Sequence, residues 1–254
     1  NPREYAAPGN QDPATPWPDS IVLGSAIAAA TSELRVALAA VIAPLRHPLL
    51  LAKQLATLDL LAGGRLVVQP TVSWAADEYA ALGVPFHERG AILDEQLEAM
   101  RAAWTDTPAT FSGRHFDFAD AYCEPKPFRP GGPRMWFGGQ TLHPALLRRL
   151  VRYGSGFHPF GAPTPADLER LATAMADAGR DVGELELVGG IRGRFAGADD
   201  VADLDDALAG VPDQLARGFT SICFKPSMFT DDRARLDDVC RRVVAGVQAA
   251  AAAT

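Results

Sequence analysis

Short apolar runs alternating with helix-patterned stretches constrain the fold of this chain more than any other feature. Residues 34–44, LRVALAAVIAP, carry no polar side chain after Arg35 and end on a proline. Strands buried on both faces of a parallel sheet have this pattern. RLVVQPT follows Gly63 and Gly64, and then come RMWFGGQ, GFHPFG, LELVGGIRGRF and SICFKPSMF. The segments between them have helical spacing. Pro48 suits a first turn, Gly63 and Gly64 suit a stop, and Leu51, Leu55, Leu58 and Ala62 fall on one face between them. Leu93, Leu97, Met100 and Trp104 form a second seam. Pro144 opens a helix with Leu146, Leu147, Leu150 and Val151 inward; Thr164 and Pro165 open another that Gly179 closes. A helical stretch broken at residues 210–212 and a last helix capped by Thr230 complete the series. SIVLGSAIAAAT, before the first strand, reads as a buried helix. Residues 1–20 read as loop, and FSGRHFDFADAYCEPKPF as a surface hairpin or excursion.

Strand–helix alternation of this kind predicts an α/β fold, a parallel sheet covered by helices. A (β/α) barrel is the first expectation and an open doubly wound sheet the second. No Gly-x-Gly-x-x-Gly follows a first strand, which argues against a dinucleotide-binding domain. A closed barrel of this type has eight strands, and six are visible here.

At 254 residues the whole chain, 1–254, is expected to be one domain. A net charge of −7 argues against nucleic acid as a partner, since phosphate binding needs a basic face. Cys123, Cys223 and Cys240 form no Cys-x-x-Cys pair, and the five histidines lack metal spacing, so neither disulfide nor metal is expected. With no apolar run of bilayer length and no signal-like N-terminus, the expected location is cytoplasmic, without membrane attachment.

PLRHPLLLAKQLATLDLLAGGRL, DEYAALGVPFHERGAILDEQLEAMRAAWT, FSGRHFDF, EPKPF and WFGGQ, in this order, resemble the bacterial luciferase-like monooxygenase superfamily. More narrowly, they resemble its branch of oxidoreductases that use the deazaflavin coenzyme F420. The similarity runs from about Pro2 to Phe160 and more loosely to the end. It implies a (β/α)8 TIM-type barrel with the cofactor ring at the C-terminal mouth of the strands. It also places LRVALAAVIAP at the third barrel strand, so that the first two strands are expected to be missing from the chain as read. The implied activity is hydride transfer between reduced deazaflavin and a small organic substrate, in a bacterial homodimer. An FMN-dependent monooxygenase of the same fold is the alternative, as is a cofactor-free barrel with a binding or structural role.

The resemblance implies cofactor-binding roles for Ala40 and Val41, where similar proteins bend the backbone against the ring, and for Gly138, Gly139, Gln140 and Thr141, which would hold the phosphate side. Those glycines also suit a phosphate seat by themselves, because they run from a strand into a helix N-terminus. Similar proteins leave the next strand through glycines. This chain has Gln69, Thr71 and Ser73 there, with Pro70 between and Trp74 after. Thr71 and Ser73 are thus candidates for cofactor contact, in a seat open to a shifted ring, another flavin or none. His158 ends a strand where barrel chemistry is placed; it suits proton donation, anion binding or a purely structural hydrogen bond. His158 and Trp74 are the catalytic candidates. Arg192 and Lys225, near the last two strand ends, are candidates for a substrate or anion, and a desolvated Lys225 also suits Schiff-base chemistry.

Overall fold

The computed structural model describes residues 16–197 and 200–253. Most of the segment expected to be loop, and residues 198–199 of the broken helical stretch, lie outside the described residues. The chain runs α1 (Ser20–Ala30), β1 (Val36–Ile42), α2 (Pro48–Leu61), β2 (Leu66–Thr71), α3 (Ala76–Ala81) and α4 (Arg89–Thr105). The hairpin β3 (Ala109–Ser112) and β4 (Asp117–Ala121) follows, then β5 (Arg134–Phe137), α5 (Pro144–Tyr153), β6 (Gly156–Phe157) and α6 (Pro165–Asp177). The last part is β7 (Glu186–Ile191), α7 (Leu204–Leu208), α8 (Val211–Ala216), β8 (Ser221–Phe224) and α9 (Leu236–Ala253).

Six strands form one sheet in the order β1-β2-β5-β6-β7-β8, every neighbouring pair parallel, while β3 and β4 pair antiparallel on their own. Spatial order follows chain order without a reversal. A doubly wound sheet turns back at a switch point, so this winding is that of a (β/α) barrel. Curvature agrees. Arg35, just before β1, reaches Glu186 on β7 with both guanidinium nitrogens, at 2.9 and 2.7 Å. In a flat sheet those strands would stand four spacings apart, about 19 Å. Only a curled sheet brings them together.

The convex face carries the main core. Leu51, Leu55 and Leu58 of α2 and Leu93, Leu97 and Met100 of α4 meet Val36, Leu38, Leu66 and Val68 of the first two strands. Each such side chain contributes roughly 1.5–3 kcal/mol on burial. A second cluster under α7, α8 and α9 includes Ile191, Val211, Phe229, Val239 and Val243. Val67, Trp136 and Val188 pack separately on the concave face.

Two local expectations change. The helix α1 buries Ile21, Gly24 and Ala28, whereas Val22, Leu23 and Ile27 are exposed, so it is half-buried. Thr230 caps no helix directly: its hydroxyl accepts from the Asp232 amide, a short 3-10 turn follows, and α9 begins at Leu236.

One buried polar residue fastens the loop at the C-terminal end of β1. Gln96, fully buried on α4, donates from its amide nitrogen to the carbonyls of Ala43 and Arg46, at 2.9 and 2.8 Å. Replacing it with an apolar side chain takes the side-chain donor from both carbonyls and leaves the Ala43 carbonyl only the Arg46 amide. Gln96→Leu should therefore lower the unfolding free energy by about 2 kcal/mol, read as a fall in the urea midpoint at unchanged slope.

Candidate active site at the barrel mouth

The concave face is layered from floor to mouth. Glu186 holds the floor. Besides the bidentate Arg35 pair, it accepts from the Trp136 indole of β5 at 3.2 Å and from the Ser221 hydroxyl of β8. Burial opposes its charge, but the donors from Arg35, Ser221 and Trp136 outweigh that and hold its carboxyl below the ordinary value.

One layer up, His158 stands edge-on to the Trp136 ring, with centroids 5.7 Å apart. Its Nδ1 lies 2.8 Å from Oε1 of Gln69, a side chain only 2% exposed. On the other side its Nε2 faces the Cys223 sulfur at 3.4 Å, and that sulfur also lies 3.1 Å from the Gly189 carbonyl. Burial, and then the nearby Arg192 guanidinium, push the imidazole below its ordinary value. Burial pushes the Cys223 thiol up, with Arg192 partly offsetting it. Imidazole and thiol are thus both uncharged at neutral pH. Cys223 is nonetheless exposed to solvent.

Close packing explains one glycine of the Trp-Phe-Gly-Gly motif. A Cβ on Gly138 would lie 1.8 Å from the His158 carbonyl oxygen. The following turn is tied to the same loop: the Phe160 amide donates to the Gly139 carbonyl at 3.0 Å. Helix α5 begins after it, but its end is less open than the sequence suggests. His143 caps it, accepting from the Leu146 amide at 3.3 Å, and Pro144 has no N–H to offer. Donors for an anion here are the turn amides of Gln140 and Thr141, which meet no acceptor among the described residues.

Beside this wall, a cleft of about 900 Å³ runs along β1, whose one strand neighbour among the described residues is β2. It takes in Ala37, Ala39, Ala40, Ser73 and Trp74. The register between β1 and β2 slips between Ala39 and Val41, and the Ala39-Ala40 peptide is cis. The extra residue turns two successive alanines out of the core, leaving a low wall against which a flat ligand can lie. Ser73 adopts a left-handed backbone, with φ of 58°, a conformation glycine would take more easily. The carbonyl of the preceding Val72 accepts from the buried Tyr79 hydroxyl, which burial pushes up to about 12.

The candidate residues therefore fall into groups. Ala40, Ser73 and Trp74 share the cleft, while Gly138 and Gly139 pack with the His158 loop. Val41 is buried in the convex core, so only its backbone is available to a cofactor. Thr71 ends β2, paired with Ile42. The Arg192 guanidinium donates to the Phe160 carbonyl, close to His158. Lys225 follows β8 and heads a 3-10 turn; burial pushes its ammonium below the ordinary value. No contact joins Trp74 to His158, so the two catalytic candidates stand on different walls. Gln69, Cys223, Trp136 and Glu186 are the site residues that sequence reasoning left out of the candidate set. For Gln69 the signal was present, as the one amide in an otherwise apolar strand.

Gly138→Ala should cost about 2 kcal/mol or more, because backbone rather than a movable side chain blocks the methyl group; thermal melting checks it. Acid should act on the floor. Since the Glu186 carboxyl is held below 4.5, its contribution is complete above that value and is lost as pH falls through the lower folded-state value. Urea titrations across this range should show wild-type stability falling with acid and a flatter profile for Glu186→Gln.

Comparison with known proteins agrees with this architecture. The family model described as luciferase-like monooxygenase matches residues 5–235. An uncharacterized protein of Mycobacterium tuberculosis is 34% identical over 229 residues, covering 86% of this chain and 72% of its own. An FMNH2-dependent dimethylsulfone monooxygenase of Pseudomonas putida is 34% identical over 126 residues, covering 48% of this chain and 34% of its own. Among solved structures, the monooxygenase RslO1 from Streptomyces bottropensis superposes with a TM-score of 0.69 at 22% identity, covering 89% of this chain and 80% of that one. No helix among the described residues is long and apolar enough to cross a membrane. The chain belongs to the luciferase-like monooxygenase family, and it is an oxidoreductase built on that family's barrel.

Proposed function

We propose that the protein works with a reduced flavin-type cofactor, FMN in the first instance, to oxidise a small organic molecule at the barrel mouth. The observation that carries this reading is the low alanine wall at Ala39 and Ala40, in a chain that also offers the turn amides of Gln140 and Thr141, unpaired among the described residues. A flat ring needs the first and a phosphate the second. The name of the Pseudomonas relative, a reduced-FMN monooxygenase, supports the same choice.

When bound, the reduced cofactor would supply the electrons. The chain's own residues would do the rest. Gly138 and Gly139 keep the turn low, and Gln140 and Thr141 hold the phosphate side. Ser73 and Trp74 close the cleft from the β2 exit. Arg192 offers a positive charge beside His158, which suits an anionic group on substrate or cofactor. His158, neutral at pH 7, would accept or return a proton at Nε2.

Hydride transfer from the deazaflavin F420 is the second reading, favoured by the motif string from residue 44 to residue 140. A cofactor-free barrel is the reading to beat. Fluorescence and absorbance titration with FMN, and separately with F420, separates all three. Saturable FMN binding that Gly138→Ala weakens at least tenfold is the expected result. Selective F420 binding would move the assignment to hydride transfer, and a folded protein that binds neither would end the redox reading.

A further inference from the structure

Cys223, His158 and Gln69 form a connected chain across the concave face that an electron-transferring cofactor does not require. Each member comes from a different part of the sheet: Gln69 from β2, His158 just after β6, Cys223 from β8. Reactive thiols and hydroxyls share a geometry in which the nucleophile meets a base and a third group orients the base. Here the sulfur is 3.4 Å from Nε2, and the opposite ring nitrogen is 2.8 Å from a buried amide oxygen. With the Gln69 oxygen accepting from Nδ1–H, the Nε2 lone pair points at the thiol. Cys223 is exposed, whereas Gln69 is buried.

We propose that Cys223 is a nucleophilic thiol served by His158 as general base and Gln69 as positioning residue, built to add to a small soft electrophile such as a conjugated carbonyl compound. The proposal does not rest on which cofactor the barrel takes. In the addition, Sγ bonds to the β-carbon while the thiol proton passes to Nε2. The π electrons move onto the carbonyl as an enolate, and the imidazolium returns its proton to the α-carbon. The S–H bond and the C=C π bond are replaced by S–C and C–H bonds, and no redox partner is needed.

The environment suits assisted attack rather than a standing ion pair. Both groups are held neutral, so the base is available across the neutral range and the charge appears only during reaction. The charged groups around the pair are Arg192 after β7, Lys225 two residues beyond Cys223, and the Glu186–Arg35 pair one layer below, behind Trp136. The Gly189 carbonyl is the rival acceptor for the thiol proton.

N-ethylmaleimide, a conjugated imide, tests this on the full chain without added cofactor. Labelling rates are followed by peptide mass mapping across the mildly acidic to mildly alkaline range. Cys223 should label faster than buried Cys123 and half-buried Cys240. Its rate should be nearly flat at neutral pH and fall only below the depressed His158 value. His158→Asn should slow Cys223 labelling at pH about 7 by tenfold or more, leaving the steady rise with pH of an unassisted thiol. Gln69→Leu should move the profile the same way, whereas Gln69→Glu, which keeps an acceptor but adds a carboxylate, should keep the assisted rate and move its fall to higher pH. A wild-type rate that already climbs tenfold per pH unit, or a profile that His158→Asn leaves unchanged, would overturn the proposal and hand the proton to Gly189. New labelling of Cys123 would reveal lost folding in a variant, in which case His158→Gln decides by the same two criteria.

Discussion

The Glu186 carboxylate sets the shape on which the rest of the barrel depends. It gathers donors from before β1 and from β5 and β8, while itself standing on β7. Strands so far apart in the sheet can share one acceptor only if the sheet curls until its concave face closes on that point. Hydrophobic burial drives the helices onto the convex face, but it is non-directional and would accept a flatter sheet. A half-buried acid with three distinct donors is directional, and leaving its carboxylate unpaired is costly. Curvature at the floor is therefore specified by a polar contact, and Trp136 carries that specification upward, because its ring is also the surface on which His158 stands.

Floor and mouth use opposite electrostatics. Charge is kept at the floor, where Arg35 compensates Glu186 through two hydrogen bonds. It is suppressed one layer higher, where burial leaves His158 and Cys223 uncharged and the Arg192 guanidinium bears on both. This separation matters for chemistry at a solvent-reached opening. A neutral imidazole can take a proton, whereas a permanently protonated one cannot. Placing the strong ion pair below, behind an indole, holds the ring without imposing a nearby carboxylate that would raise its proton affinity.

Much of the fold was legible because its signals are local. The six strand runs, the hairpin and the break at residues 210–212 all rest on residue types whose conformational preferences act within a few positions. The choice between barrel and doubly wound sheet was not local. It needed strand order and the Arg35–Glu186 contact, which spans 151 positions. The site divides the same way. Gly138 and Gly139 read as a phosphate seat, and the structure adds a packing reason for Gly138, the His158 carbonyl. Cys223 gave no warning, since a cysteine in SICF reads as a small apolar strand residue. Ser73 and Trp74 were placed correctly at a strand exit, yet face the cleft beside β1 rather than His158.

Gln69 shows why such a site resists sequence reading. A single amide in a buried strand is unfavourable unless its hydrogen bonds are met, so its presence signals a partner without naming it. Side chains from just after β6 and from β8, 89 and 154 positions further on, turn that amide into one end of a chain across the concave face. The glycines that similar proteins use at this strand end would let a ring approach the backbone, whereas a glutamine fixes an imidazole instead. What the strand delivers is thus an oriented base, and the space for a flat ligand shifts to the neighbouring wall, where the bulge in β1 turns Ala39 and Ala40 toward it. A ring on that wall and a base on the adjoining one would leave the reacting atoms between two strands that never pair, which is possible only because the floor holds the sheet curled.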